Sequence, residues 1–450
     1  PLFTVSGRVL QHDGPSASTI CDDGASNNIF MAVNGSAVQN ASTSCSSVDG
    51  SYTLTGFNFT SADVLTVYID GESEEGVTVT YDSVGTISNL DIYEDHVIVR
   101  HESSNAISID ELGVWDSTND VDIPFTVTTG PDTLTVAADT KLLVWDDRDF
   151  EPQGNVIVSG GGANAYDGTL EVRSDGSFIA NGTESHSVGG SLIFNAGATL
   201  EAASSTFDLT SDSSGRDITL LGNELNNITF SGTGAWTMTD ADVVIEGSLD
   251  ITAGSVALPS ATTTVGASFT NSGSFTHPTG VIELNSSATG ETVTLGNSSV
   301  ANLTFSNSGE WTFGDTHATT TESFRVASGT VTLPSGTLAV GQDFVVLDTV
   351  NSNSGTVDLY ATAGEVFLTL TANDLHAVVK SGSATTTMTD ESAAFTDDLL
   401  VTAGVMNLAT GTLSIGGSYD ASSANVNTAS GTILFNSSDP GVFIDPGTNE

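Results

Sequence analysis

The residues most able to do chemistry in this chain are its carboxylates, grouped in short oxygen-rich stretches. Asp116-Ser117-Thr118-Asn119-Asp120-Val121-Asp122 is one group, and Asp146-Asp147-Arg148-Asp149-Phe150-Glu151 is another. Asp22-Asp23 is a third. Calcium takes six to eight oxygen ligands from flexible loops, and such stretches can supply them. Asp116, Asp120, Asp122, Asp147, Asp149 and Glu151 are therefore the calcium candidates. Their spacing matches neither the EF-hand loop nor the glycine-aspartate nonapeptide of calcium-binding β-rolls.

Other constellations are thin. Of seven histidines only His96 and His101 are close. Five apart on a strand they face opposite sides, which argues against a shared zinc. No Gly-rich phosphate loop ends in lysine. Glycoside hydrolysis needs two carboxylates held together on one face. Polysaccharide lyases add a basic proton abstractor. The repeat region offers only Arg173, Arg216, Arg325 and Lys380, spread far apart. The expectation is a protein that is not an enzyme.

Charge narrows the partners. The 450 residues carry 56 acidic against 8 basic side chains, a formal net charge of −48. Nucleic acid needs a basic surface, so it is excluded, and an anionic membrane surface is disfavoured. The acidity fits solubility in high salt, divalent-cation binding, or a self-repelling cell-surface polymer. No apolar run is long enough to span a membrane, so the chain is not expected to be membrane-embedded. Cys21 and Cys45 are the two cysteines, both within the first 50 residues. One disulfide in an oxidising, extracellular setting follows, with two unpaired buried thiols as the alternative.

The elements that must position these groups read as strands. Short runs of Val, Ile, Thr and Phe are separated by Gly, Asn, Asp and Ser throughout. Residues 1–95 predict a small β-sandwich with strands at Phe3–Leu10, Asn28–Val33, Ser51–Phe57, Val64–Asp70, Gly76–Tyr81 and Ile87–Tyr93. Residues 96–155, with Trp115 and Trp145, read as a transition or cap. From 156 to 450 a repeat governs. Gly189, Gly266, Gly341 and Gly416 lie 77, 75 and 75 residues apart, and such a period means stacked repeats. Each 75-residue unit divides into three coils of about 25, the size of a parallel β-helix rung. Trp236 and Trp311 should fill the core, with sugar stacking as the minority reading. Asn-x-Ser/Thr triplets recur, among them Asn227, Asn285, Asn302 and Asn436. They are open to glycosylation in a host that performs it.

Two resemblances sharpen the picture. Val5-Ser6-Gly7-Arg8-Val9 with Asp49-Gly50-Ser51-Tyr52-Thr53-Leu54-Thr55-Gly56-Phe57 resembles carboxypeptidase-regulatory-like and collagen-adhesin B-type immunoglobulin-like modules. The isopeptide bond of the adhesin modules needs a lysine, which this segment lacks, and Cys21–Cys45 would be the substitute staple. Gly247-Ser248-Leu249-Asp250-Ile251, Gly329-Thr330-Val331-Thr332-Leu333 and Gly411-Thr412-Leu413-Ser414-Ile415 resemble the repeats of filamentous-haemagglutinin and autotransporter-type bacterial surface proteins. The expected fold is all-β, an N-terminal Ig-like β-sandwich followed by a right-handed parallel β-helix.

The expected role is structural: an extracellular, cell-surface subunit or stalk of a filament, fibre or surface layer. An adhesin binding glycan or a host surface is the first alternative. A polysaccharide-degrading β-helix or phage tail spike is the second. Partners would be other copies of the chain, or its continuation past Glu450, where the repeat stops in mid-rung. Leu2–Val5 is a candidate for strand addition to a neighbour.

Overall fold

The computed structural model describes residues 2–447 except 13, 25, 84, 163 and 429, with the side chains of 37–41 also left aside. Glu450 lies outside the described residues. The chain divides into two compact units, Pro1–Asp240 and Ala241–Glu450. Among the described residues both are built of strands, apart from one four-residue helix, Ile109–Leu112, in the first.

The first unit opens with two packed sheets. Phe3–Leu10 lies between Ser51–Phe57, antiparallel, and Ile92–Tyr93, parallel. Ile29–Val33, Ser36–Thr43, Leu65–Ile69 and Val77–Thr80 form the facing antiparallel layer. Val5, Val9, Tyr52 and Leu54 from one layer meet Ile29, Met31, Leu65 and Val67 from the other in one buried cluster. The alternation in Ser51–Phe57 puts Tyr52 and Leu54 inside and Ser51 and Thr53 outside, as a half-buried strand requires. Cys21 and Cys45 are disulfide-bonded within the same cluster.

Strand addition through Leu2–Val5 does not fit this arrangement. Thr4, Val5 and Ser6 already pair with Thr55, Leu54 and Thr53 on one side. On the other side the Ser6 N–H donates to the Ile87 carbonyl and the Ile87 N–H donates to that of Thr4. With both edges filled, no ladder remains for a neighbour.

Parallel coiling begins without a break in this sheet. Val77–Thr80 pairs in parallel with His96–Val99, which pairs in parallel with Lys141–Val144. The ladder continues through Leu170–Val172 and Leu192–Phe194. Two further ladders, one through Thr133–Val136, Asn155–Val158 and Ser185–Val188 and one through Asp149–Phe150, Ser177–Ile179 and Thr199–Glu201, complete a three-sided solenoid.

The second unit is a parallel β-solenoid throughout. Its first face is a ten-strand ladder from Asp242–Ile245 to Asn425–Asn427. Partners on successive rungs lie 19–24 residues apart, mostly 20 or 21. One coil is therefore about 20 residues, not 25, and the 75-residue unit is not three coils. Gly266, Gly341 and Gly416 follow Thr262–Val265, Thr337–Val340 and Thr412–Ile415, and these strands belong to three different ladders. A 75-residue step is close to 3⅔ coils, so each repeat places its equivalent strand two-thirds of a turn further round, on a different face. The sequence period and the structural period differ because a duplication need not contain a whole number of turns.

The corners follow the duplication. Three-residue corners follow Asp242–Ile245 and Thr262–Val265, a six-residue corner (285–290) follows Val281–Leu284, and a four-residue corner follows Asn302–Phe305. On the next face the lengths are three, three, five (360–364) and four; on the last they are three, three and eight (436–443). Gly266, Gly341 and Gly416 sit where an added Cβ would come within 2.0, 2.1 and 2.2 Å of a carbonyl oxygen of the rung beneath. Only glycine lets the rungs close at these corners. Inside, Phe269, Phe305, Phe324 and Trp311 are fully buried; in the first unit Phe230 and Trp236 are buried likewise, so both tryptophans are core residues as expected. Phe305 and Trp311 meet at 5.3 Å between ring centroids.

Candidate cation centre

One group of carboxylates converges. Asp70, Asp120 and Asp122 each offer an oxygen, and these oxygens lie within 4.8 Å of one another; no other such group occurs among the described residues. Asp70 ends the Leu65–Ile69 strand, where its N–H donates to the Asn28 carbonyl. Asp120 and Asp122 lie on the loop between Ile109–Leu112 and Phe125–Thr128. The loop is held to the sheet by its own acceptors. Tyr68 Oη donates to Asp120 Oδ2 at 2.7 Å, and the Gly71 N–H donates to Asp122 Oδ2 at 2.7 Å. The Asp122 N–H donates to Asp120 Oδ1 at 3.2 Å.

Burial, the neighbouring Asp120 charge and a hydrogen bond with Asp122 push the Asp70 carboxyl above its ordinary value. Glu75 is raised too, first by burial and then by the charges of Asp122 and Asp95. Three half-buried carboxylates this close repel one another, and a proton or a cation relieves that repulsion. An all-oxygen set of this size suits calcium, with water completing the shell.

The other candidates do different work. Asp116 is buried and fully engaged: Oδ1 accepts from Thr118 N–H and Oγ1, and Oδ2 accepts from the Val127 N–H. It staples the loop to the Phe125–Thr128 strand. Asp147 is exposed beside Arg148. The backbone N–H of Asp149 donates to His101 Nε2 at 2.9 Å. Glu151 accepts from Asn181 Nδ2 at 2.5 Å. These last three do not meet. Asp70 was invisible from sequence because it stands fifty residues before Asp120, and only the sheet brings the two together. His96 and His101 likewise serve separate partners, since His96 Nδ1 contacts the Glu94 carbonyl at 2.7 Å.

Several of the scarce cations are spent inside the fold. Arg216, 3 % exposed in its side chain, reaches buried Asp167 at 3.5 Å and donates to the Gly162 and Asn164 carbonyls. Lys141 pairs with Glu171 at 2.9 Å, and Arg100 with Glu102 at 2.8 Å. Arg173 lies over the rings of Trp145 and Tyr93, 4.8 and 5.1 Å from their centroids. With so much positive charge buried, the exposed surface carries the acidity nearly undiluted.

No family model, no curated protein and no solved structure matches this chain. No helix among the described residues is long and apolar enough to cross a membrane.

Proposed function

We propose that this chain is a structural element of an extracellular assembly: a subunit or stalk of a surface filament, fibre or layer. The observation that carries the reading is the parallel solenoid of the second unit, whose first face alone is a ten-strand ladder over an apolar core. Each rung hydrogen-bonds both neighbours, so bending within the unit must break several ladders together. The disulfide suits an oxidising compartment, and the acidic exterior keeps copies soluble and spaced. The N-terminal pair of sheets is read as the Ig-like module. Calcium at Asp70, Asp120 and Asp122 would clamp the 113–124 loop onto that module.

Immunogold labelling of the source cells tests the proposal. Label on elongated surface structures is expected; label confined to the cell interior refutes it.

A further inference from the structure

The long corners of the second unit are built alike, yet they differ in what lies beside them. Each contains a glycine of positive φ, Gly290 (85°), Gly364 (81°) and Gly441 (101°), whose added Cβ would meet nothing. Beside 285–290 lies a groove of about 500 Å³ lined by Glu246, Thr264, Gly266, Asn285, Ser286 and Glu291. Beside 436–443 lies one of about 330 Å³ lined by Asp374, Thr396, Gly416, Asn436, Ser437 and Asp439. The middle corner is closed by its own side chain. Tyr360 folds back, its Oη donating to the Thr320 carbonyl at 3.0 Å and covering Gly341. A fourth corner, 210–215 in the first unit, is followed by Arg216, whose guanidinium is bound into the fold. The open corners carry Asn-Ser-Ser, at 285–287 and 436–438. The closed ones carry Tyr360-Ala361 and Thr210-Ser211.

The lining selects a chemical class. Neither groove has a basic residue, which excludes an anionic ligand. Hydroxyls, amides and carboxylates dominate, which excludes a lipid. The carboxylates do not converge: no three of them come within 4.8 Å here, so a single ion does not account for the shape. Glu291 is held ready, accepting from Ser268 Oγ at 2.6 Å and Ser286 Oγ at 3.3 Å. Carboxylates, amides and hydroxyls along an open groove of this size match a ligand with many hydroxyls. We propose that the grooves at 285–291 and 436–439 each bind a neutral oligosaccharide non-covalently, giving two sites per chain. They open at corners of different ladders, because each 75-residue repeat advances by two-thirds of a turn.

The experiment is native mass spectrometry and calorimetry of the full 450-residue chain, made in a host that does not N-glycosylate. The probes are neutral tetrasaccharides of glucose, xylose, mannose and N-acetylglucosamine. At least one should bind with a stoichiometry of two. Asn285→Tyr with Ser286→Ala copies the closed corner and should leave one site. Tyr360→Asn with Ala361→Ser copies the open corner and should create a third, a gain that misfolding cannot mimic. The proposal is overturned if no probe binds at millimolar concentration, or if neither double substitution changes the stoichiometry. It is equally overturned if protein from the source cells carries a covalent glycan on Asn285 or Asn436. None of these results bears on the structural role of the solenoid.

Discussion

Acid should loosen this solenoid at an identifiable place. His186 is fully buried in the core of the first unit, edge-on to Phe178 and tilted against Phe207, both at 5.0 Å. Neither of its ring nitrogens has a hydrogen-bond partner. Burial alone pushes its pKa from 6.5 down to about 4. The unfolded chain therefore binds more protons than the folded one between those values, and stability falls as pH drops through that window. With pKa values of 6.5 and about 4, the loss at pH 4.5 is about 2.5 kcal/mol for this residue. His277 in the second unit is driven to about 4 by the same cause, partly opposed by Glu322. Urea unfolding followed by circular dichroism at pH 7.0 and 4.5 measures the effect. His186→Leu should be more stable than the parent by about 2.5 kcal/mol more at pH 4.5 than at pH 7.0. An equal difference at the two pH values would refute the reasoning, since a purely steric role for His186 carries no proton linkage.

Four further outcomes follow from the packing. Gly266→Ala brings a Cβ within 2.0 Å of the Glu246 carbonyl oxygen and should cost about 2–3 kcal/mol in urea unfolding. Gly182→Ala, where nothing lies within 4 Å, should change little. Lys380 is buried with only the Gly382 and Ala403 carbonyls as partners, at a position equivalent to Phe305. Burial lowers its pKa, and Lys380→Met should raise stability by about 1–3 kcal/mol. Replacing both cysteines by alanine opens a loop of sequence separation 24 and should cost about 3.5 kcal/mol, read as a lower urea midpoint. Calcium should bind with a Kd of about 10⁻⁴–10⁻³ M by calorimetry and raise the melting temperature. Asp120→Asn should remove both effects while Asp147→Asn leaves them intact.

Much of the local structure was legible. Phe3–Leu10 and Ser51–Phe57 stand at the ends their alternation and turn residues indicated, and the cysteines pair. Ser36–Thr43 was not legible, because Gln39, Asn40 and Ser42 break the apolar pattern of a strand that lies at a sheet edge. The coil length was misjudged for a specific reason. The 75-residue recurrence of glycines and tryptophans reports the duplication, and nothing in one sequence says how many turns a duplicated segment makes. The carboxylate cluster was half legible: Asp120 and Asp122 stood out by density, while Asp70, a lone acid after a strand, gave no signal.

The sequence by itself determined the β architecture, the disulfide, the burial of Trp236 and Trp311, and the acidic exterior. All of these depend on residue type and short-range periodicity. Tertiary structure decided the 20-residue coil, the rotation of each repeat onto a new face, and the meeting of Asp70 with Asp120 and Asp122. It also decided which corners stand open and which are filled by Tyr360 or Arg216. Those outcomes rest on the closure of each turn against the one beneath it, where a carbonyl 2 Å from a missing Cβ sets what fits and residues twenty or fifty positions apart become neighbours.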